Sequence, residues 1–189
     1  MGADIFGKLH EECGVFGIYM REEGADVLGI THHALYALQH RGQESCGIAL
    51  NVDGVLSGYR DLGLVSEVFT KRVLEELPRG AKMATGHVRY ATAGQRSRSN
   101  AQPMVLHHCK GAMAVCHNGN LVNAPKLRRK LEMSGSIFHG TSDTEVIAYI
   151  VDYLHRKVGL SFEEIASVIA APFWQTIERM EPEKRRTHE

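Results

Sequence analysis

Four short stretches of this sequence carry side chains able to bind and break a carbon–nitrogen bond, and they lie far apart along the chain. The first is Cys13, flanked by Gly14 and Gly17 in HEECGVFGIY (residues 10–19). The second is GHVRYATAG (residues 86–94), where a strand-like run ends in Arg89 and continues to Thr92 and Gly94. In the third, CHNGNLVN (residues 116–123), Asn118-Gly119 breaks the end of an apolar run. The fourth, GTSDTEV (residues 140–146), puts Asp143 in the first turn of a helix. Each has an ordinary explanation: a small buried thiol, a surface arginine, a tight Asn-Gly turn, a carboxylate complementing a helix dipole. Together they form a different set. A thiol nucleophile, a guanidinium for a carboxylate, a carboxylate for an ammonium and an amide with a backbone N–H for an oxyanion suffice to bind and cleave a zwitterionic amino-acid amide.

The elements that must position these groups are legible. Alternating or apolar runs predict strands at Gly14–Met20, Gly47–Val52, Val55–Tyr59, Met83–Tyr90, Met104–His107 and Ala112–His117, with a two-residue Asp53-Gly54 hairpin turn. THHALYALQHRG predicts a helix capped by Thr31 and stopped at Gly42, and SEVFTKRVLEEL a helix behind a Ser66 cap. NAPKLRRKLEMSG carries Pro125 near its start and Gly135 past its end. Ser142-x-x-Glu145 and Ser161-x-x-Glu164 read as capping boxes opening two more helices, the second ended by Pro172. Strand hairpins interrupted by helix pairs indicate an α+β layered domain rather than a doubly wound parallel sheet. No dinucleotide or P-loop glycine fingerprint follows any strand.

Composition excludes several function classes. The 22 basic and 22 acidic residues cancel, so no global field points to nucleic acid or anionic lipid. KLRRK (residues 126–130) reads as a solvated helix face. No apolar run approaches the roughly 20 residues of a membrane span, and residues 1–12 do not read as a secretory signal. Neither nucleic acid nor membrane is an expected partner. The four cysteines, Cys13, Cys46, Cys109 and Cys116, show no metal-ligand rhythm, and are read as reduced thiols in a cytoplasmic protein.

With LQHRGQESCGI (residues 38–48) and NAQPM (residues 100–104), these stretches resemble the class II glutamine amidotransferases. QHRGQESCG and HVRYATAG favour the amidophosphoribosyltransferase branch over the sugar-phosphate aminating one. The resemblance runs from about Glu11 to about Lys157. It implies a four-layer αββα sandwich of the N-terminal-nucleophile hydrolase type. It also implies that Cys13 is the nucleophile and that Asn118 and Gly119 form the oxyanion hole. Arg89 and Asp143 would bind the α-carboxylate and α-ammonium of L-glutamine, with Thr92 and His87 among the substrate-binding residues and Arg41 and Tyr90 in support. An α-amine has a pKa of about 7.7–8.0. If the Glu12–Cys13 bond were cut, the new amine could therefore take the proton of its own thiol, and residues 1–12 are accordingly expected to be a propeptide. Family enzymes use Mg²⁺ and in some members a 4Fe-4S cluster in the phosphoribosyltransferase half, so no cofactor and no metal ligand is assigned to this chain.

The family pattern breaks in places. No acidic pair with a small-residue phosphate loop, as needed for phosphoribosyl pyrophosphate, occurs in these residues. Residues 13–171 are expected to form a glutaminase domain lacking its C-terminal strands, and residues 172–189 a divergent charged tail. The expectation is therefore either a truncated or divergent gene product, or a partner, a phosphoribosyltransferase chain or another copy of itself, that completes the layer. Two other functions compete with the leading one: a stand-alone glutaminase or ammonia donor for another synthase, and a catalytically silent interaction fragment. A Cys–His–Asn hydrolase built on His117 and Asn118 is disfavoured, because adjacent strand residues point to opposite faces.

Overall fold

The computed structural model describes residues 13–90, 97–108, 111–161 and 163–165, so the expectations for residues 1–12, Thr92, Cys109 and the tail lie outside the described residues. The chain divides into two units, Met1–Ala148 and Tyr149–Glu189. In the first, β1 (Gly14–Tyr19), β2 (Ser45–Val52), β3 (Val55–Leu62) and β4 (Met83–Arg89) form an antiparallel sheet in the order β1-β4-β2-β3. A second antiparallel sheet pairs β5 (Met104–His108) with β6 (Gly111–Val115). The domain is α+β, as its sequence indicates.

Strict alternation along β4 builds the layers. Ala84, Gly86 and Val88 face helix α1 (Val27–Ala37). A Cβ on Gly86 would stand 3.0 Å from the methyls of Leu35, so the absent side chain lets the helix lie close. Cross-strand partners share this face, and Cys46, Ile48 and Leu50 of β2 join Leu28, Leu35, Ala84 and Val88 in the core. The alternate residues, Thr85, His87 and Arg89, point the other way. There the second sheet approaches: Thr85 Oγ1 is 3.3 Å from Cys116 Sγ, and Arg60 donates to the carbonyls of Ala101 and Pro103 at 2.8 and 2.6 Å. Gly47, opposite His87, lies under the backbone of Gln102. The β2–β3 turn uses Asp53 and Gly54 at φ 48° and 86°, as the hairpin signal predicts.

Helix boundaries depart from expectation where a better cap was available. α1 starts at Val27, not Thr31, because Asp26 accepts from Gly29 N at 3.1 Å. Thr31 is buried mid-helix and donates to Val27 O. The helix expected behind Ser66 is two: α2 (Val65–Val68), whose Glu67 accepts from Leu64 N, and α3 (Lys71–Glu76), capped by Thr70. Phe69 breaks them because its side chain is drawn into the core. α4 (Ala124–Met133) has Pro125 in its first turn and Gly135 at φ 95° beyond its end. Its KLRRK stretch is not wholly a solvated face. Leu127 is buried, and Arg128 stacks 4.3 Å from the Phe138 ring centroid and donates to Gly140 O.

α5 (Asp143–Tyr153) opens without the expected capping box. Ser142 Oγ accepts from Thr144 N, but the Glu145 carboxylate instead accepts from His139 N and Gly140 N at 2.8 and 2.9 Å. In the second unit a π-helical turn, Leu154–Val158, ends at Gly159 in the left-handed region, and Arg156 pairs with Asp152 through two hydrogen bonds. There the Ser161-Glu164 capping box is formed reciprocally.

Gly47 and Gly17 make a controlled pair. A Cβ on Gly47 would meet the Gln102 carbonyl at less than contact distance, whereas nothing lies within 4 Å of one on Gly17. Gly47→Ala is expected to destabilise the protein by about 1–3 kcal/mol or more through overpacking against backbone, with Gly17→Ala neutral, measured as urea midpoints.

Candidate active site

A cavity of about 460 Å³ opens on the side of β4 away from α1, within the range usual for small-ligand sites. Cys13, Arg89, Gly119 and Asp143 all line it, together with Asn100 and Gln102. Cys13 immediately precedes β1, and the register that sets Gly14 opposite Val88 brings it to the end of β4. There the backbone N–H of Tyr90 points at Cys13 Sγ from 3.4 Å. Arg41 holds Cys13 on both sides: its carbonyl accepts from Cys13 N at 3.0 Å, and its Nε donates to Cys13 O at 2.8 Å. Arg41 and Tyr90 thus contact Cys13 through one guanidinium and two main-chain groups.

Arg89 is buried and paired with buried Glu44, Nη1 to Oε1 at 2.5 Å. A guanidinium has five N–H donors in a fixed fork, so one bond to Glu44 anchors it while others remain for the cavity. Asp143 accepts from Leu121 N at 2.7 Å and lies 3.9 Å from His117 Nδ1. Gly119 follows β6 at φ 140°, a conformation that disfavours any side chain, and its missing Cβ leaves room for the His117 ring.

Two buried amides hold the loops that carry these groups. Asn100 Oδ1 accepts from Thr141 N and Ser142 N at 2.8 and 3.2 Å, and its Nδ2 donates to Thr141 Oγ1. Gln102 binds the main chain of His117 twice, accepting from N at 2.7 Å and donating to O at 3.2 Å. Asn100 and Gln102 therefore fix the 140–143 and 117–119 segments, and with Glu44 they are the site residues that sequence reasoning did not single out. The only signal for Asn100 and Gln102 was their place in the NAQPM stretch; nothing in its periodicity shows that both amides are buried.

His87 departs from its expected role. It is fully buried and does not line the cavity, so it is not a substrate contact. The cause is its place at the centre of the sheet, between Val15 of β1 and Gly47 of β2. Its Nε2 lies 3.1 Å from Asn118 Oδ1. Burial pushes its pKa down to about 4, outweighing the opposing influence of the Asn118 hydrogen bond and of the nearby His117 main chain, so the ring is neutral at pH 7. Asn118 itself is exposed beside the cavity, its carboxamide engaged with His87. His117 and Asn118 lie beyond the end of β6 and turn to different partners, Asp143 and His87. Burial also raises the Cys46 and Cys116 thiols, to about 12 and about 11, which leaves them inert at neutral pH. Among the described residues no group of three His, Cys, Asp or Glu side chains is placed to hold a metal ion, and no helix is long and apolar enough to cross a membrane.

Residues 87–178 match the glutamine amidotransferase domain family. The chain is 45% identical over 159 residues to amidophosphoribosyltransferase of Staphylococcus aureus and 47% identical over 152 residues to that of Bacillus subtilis. These alignments cover 84% and 80% of the chain, but it spans only 31% of either relative. The solved structure of the allosteric regulatory enzyme of purine biosynthesis superposes with a TM-score of 0.65 at 45% identity, covering 73% of this chain and 29% of that one. Glutamine phosphoribosylpyrophosphate amidotransferase from Bacillus subtilis superposes at 0.64 and 42% identity, with the same coverages. The fold is accordingly of the N-terminal-nucleophile hydrolase type.

Two stability measurements probe these contacts. Glu44→Ala leaves the buried Arg89 charge unpaired and is expected to cost about 3–5 kcal/mol in chemical denaturation. His87 has a folded pKa of about 4 against an ordinary 6.5. As pH falls the unfolded chain takes up this proton first, so the stability present above pH 6.5 is lost progressively as pH drops through about 4. The folding free energy of the wild type between pH 7 and pH 4.5 should therefore fall by about 2–3 kcal/mol more than that of His87→Gln, compared through urea midpoints.

Proposed function

Because the chain belongs to the glutamine amidotransferase family, as a glutaminase domain of the amidophosphoribosyltransferase type, we propose that it hydrolyses L-glutamine to glutamate and ammonia through a Cys13 thioester. The observation that carries this reading is the convergence of Cys13, Arg89, Gly119 and Asp143, from four separate segments, around one cavity.

The chemistry starts with removal of residues 1–12. Cys13 has φ 57°, left-handed for a residue with a side chain, and such a conformation costs about 1–3 kcal/mol. Cutting the Glu12–Cys13 bond removes that torsion and converts the Cys13 amide into an amine, which the Arg41 carbonyl is placed to orient. The amine takes the thiol proton, and the Tyr90 N–H supports the thiolate. The thiolate attacks the side-chain amide carbon of glutamine while Arg89 binds its α-carboxylate and Asp143 its α-ammonium. The oxyanion that forms is met by the Gly119 N–H and the Asn118 carboxamide. Collapse breaks the carbon–nitrogen bond, the ammonium of Cys13 returns its proton to the leaving nitrogen, and ammonia departs. Water then cleaves the thioester to give glutamate and the free thiol.

The ammonia is passed, in this reading, to phosphoribosyl pyrophosphate held by a phosphoribosyltransferase part that is not among these 189 residues, forming phosphoribosylamine in purine synthesis in the cytoplasm. The identity to amidophosphoribosyltransferases supports that acceptor. Glutamate release from glutamine tests the proposal. Cys13→Ala is expected to abolish it and Arg89→Lys to raise KM tenfold or more. Release that survives in Cys13→Ala, or full activity in a chain whose intact mass retains residues 1–12, would contradict it.

A further inference from the structure

His87 lies out of reach of any ligand in the cavity, yet one of its ring nitrogens touches a group assigned to the reacting centre. Resting on the reading of Asn118 as an oxyanion donor, we propose that His87, through an N–H on Nε2, is a positioning residue that keeps the NH₂ end of the Asn118 carboxamide turned to the oxyanion.

A carboxamide is nearly symmetric in shape but opposite in charge at its two ends. Rotated by half a turn, Asn118 would present a carbonyl oxygen to the developing oxyanion and repel it. What sits against its other end decides the orientation. In this structure that partner is His87 Nε2, 3.1 Å from Oδ1. An amide oxygen only accepts, so the imidazole nitrogen facing it must donate. The opposite nitrogen, Nδ1, is buried and makes no hydrogen bond of ordinary geometry among the described residues. A buried N–H left without an acceptor is the rarer and costlier defect, so the single proton of the neutral ring belongs on Nε2. Burial keeps that ring neutral at pH 7.

The ring is also rigidly mounted. β4 is paired on both sides, and His87 lies between Val15 and Gly47, two residues before Arg89 on the same face. Asn118, by contrast, is exposed, past the end of its strand. The donor is thus referenced to the same strand that carries the guanidinium.

The test combines kinetics with a direct view of the ring. In the processed chain, His87→Phe removes the donor, and it is expected to lower kcat for glutamate release at least tenfold with KM within about twofold. His87→Gln, which can place an N–H near the Nε2 position, should recover most of the loss. On an Asn118→Ala background, His87→Phe should cost no more than about twofold further, since it acts through a group already removed. Equal losses on both backgrounds overturn the positioning role. A loss in Asn118→Ala but none in His87→Phe overturns it too, while leaving the oxyanion reading intact. Unchanged kcat in Asn118→Ala overturns that reading and the positioning role with it. Should His87→Phe fail to fold, two-bond ¹H–¹⁵N spectra of the wild-type chain at pH 7 decide, with His87 assigned by its loss in His87→Gln. An Nε2–H tautomer supports the proposal; an Nδ1–H tautomer or an imidazolium overturns it.

Discussion

The cavity depends on one register: the antiparallel pairing that sets Gly14 of β1 opposite Val88 of β4. A slip of one residue would turn His87 and Arg89 toward α1 and place two polar side chains in the apolar core. The correct register is enforced from the other face, where Ala84, Gly86 and Val88 must receive Leu35 and its neighbours. Hydrophobic packing on one side of the sheet therefore specifies polar geometry on the other. It also delivers Cys13, the residue just before β1, to the end of β4 where Tyr90 and Arg89 lie.

Around this frame the site is built from polar groups taken out of water and then satisfied. Glu44 and Arg89 neutralise each other, Asn100 and Gln102 bind main-chain groups of neighbouring loops, and Glu145 accepts from two consecutive N–H groups. Buried polar contacts of this kind add little net stability when intact and cost much when one partner is lost. Their effect here is geometric. Glu44 fixes the Arg89 side chain, and Asn100, Gln102 and Glu145 restrain the segments leading to Gly119 and Asp143, so the groups facing the cavity are set before any ligand arrives.

How much of this was legible in the sequence varied with the range of the interaction. The six strands among the described residues were readable, because alternation along a strand is local. The two-residue turn at Asp53-Gly54 was equally local. Helix starts were misjudged at Thr31 and Ser66, where Asp26 and Thr70 supplied caps and Phe69 was pulled into the core. Of the residues tied to the site, Cys13, Arg89, Gly119 and Asp143 meet at one cavity, whereas His87 was assigned to the substrate and is instead buried behind Asn118.

By itself the sequence determined the inventory: a thiol at the head of a strand, an arginine at the end of another, an Asn-Gly break, an acidic helix start, and the pattern that folds them as α+β. Only the tertiary structure decided which of these groups face the cavity and which stand behind them. Glu44, Asn100 and Gln102 carry no periodic signature because their partners lie on distant segments, at Arg89, Thr141 and His117. Whether a buried side chain binds or merely positions depends on what lies at its other end, and that is settled by packing across layers rather than by neighbours along the chain.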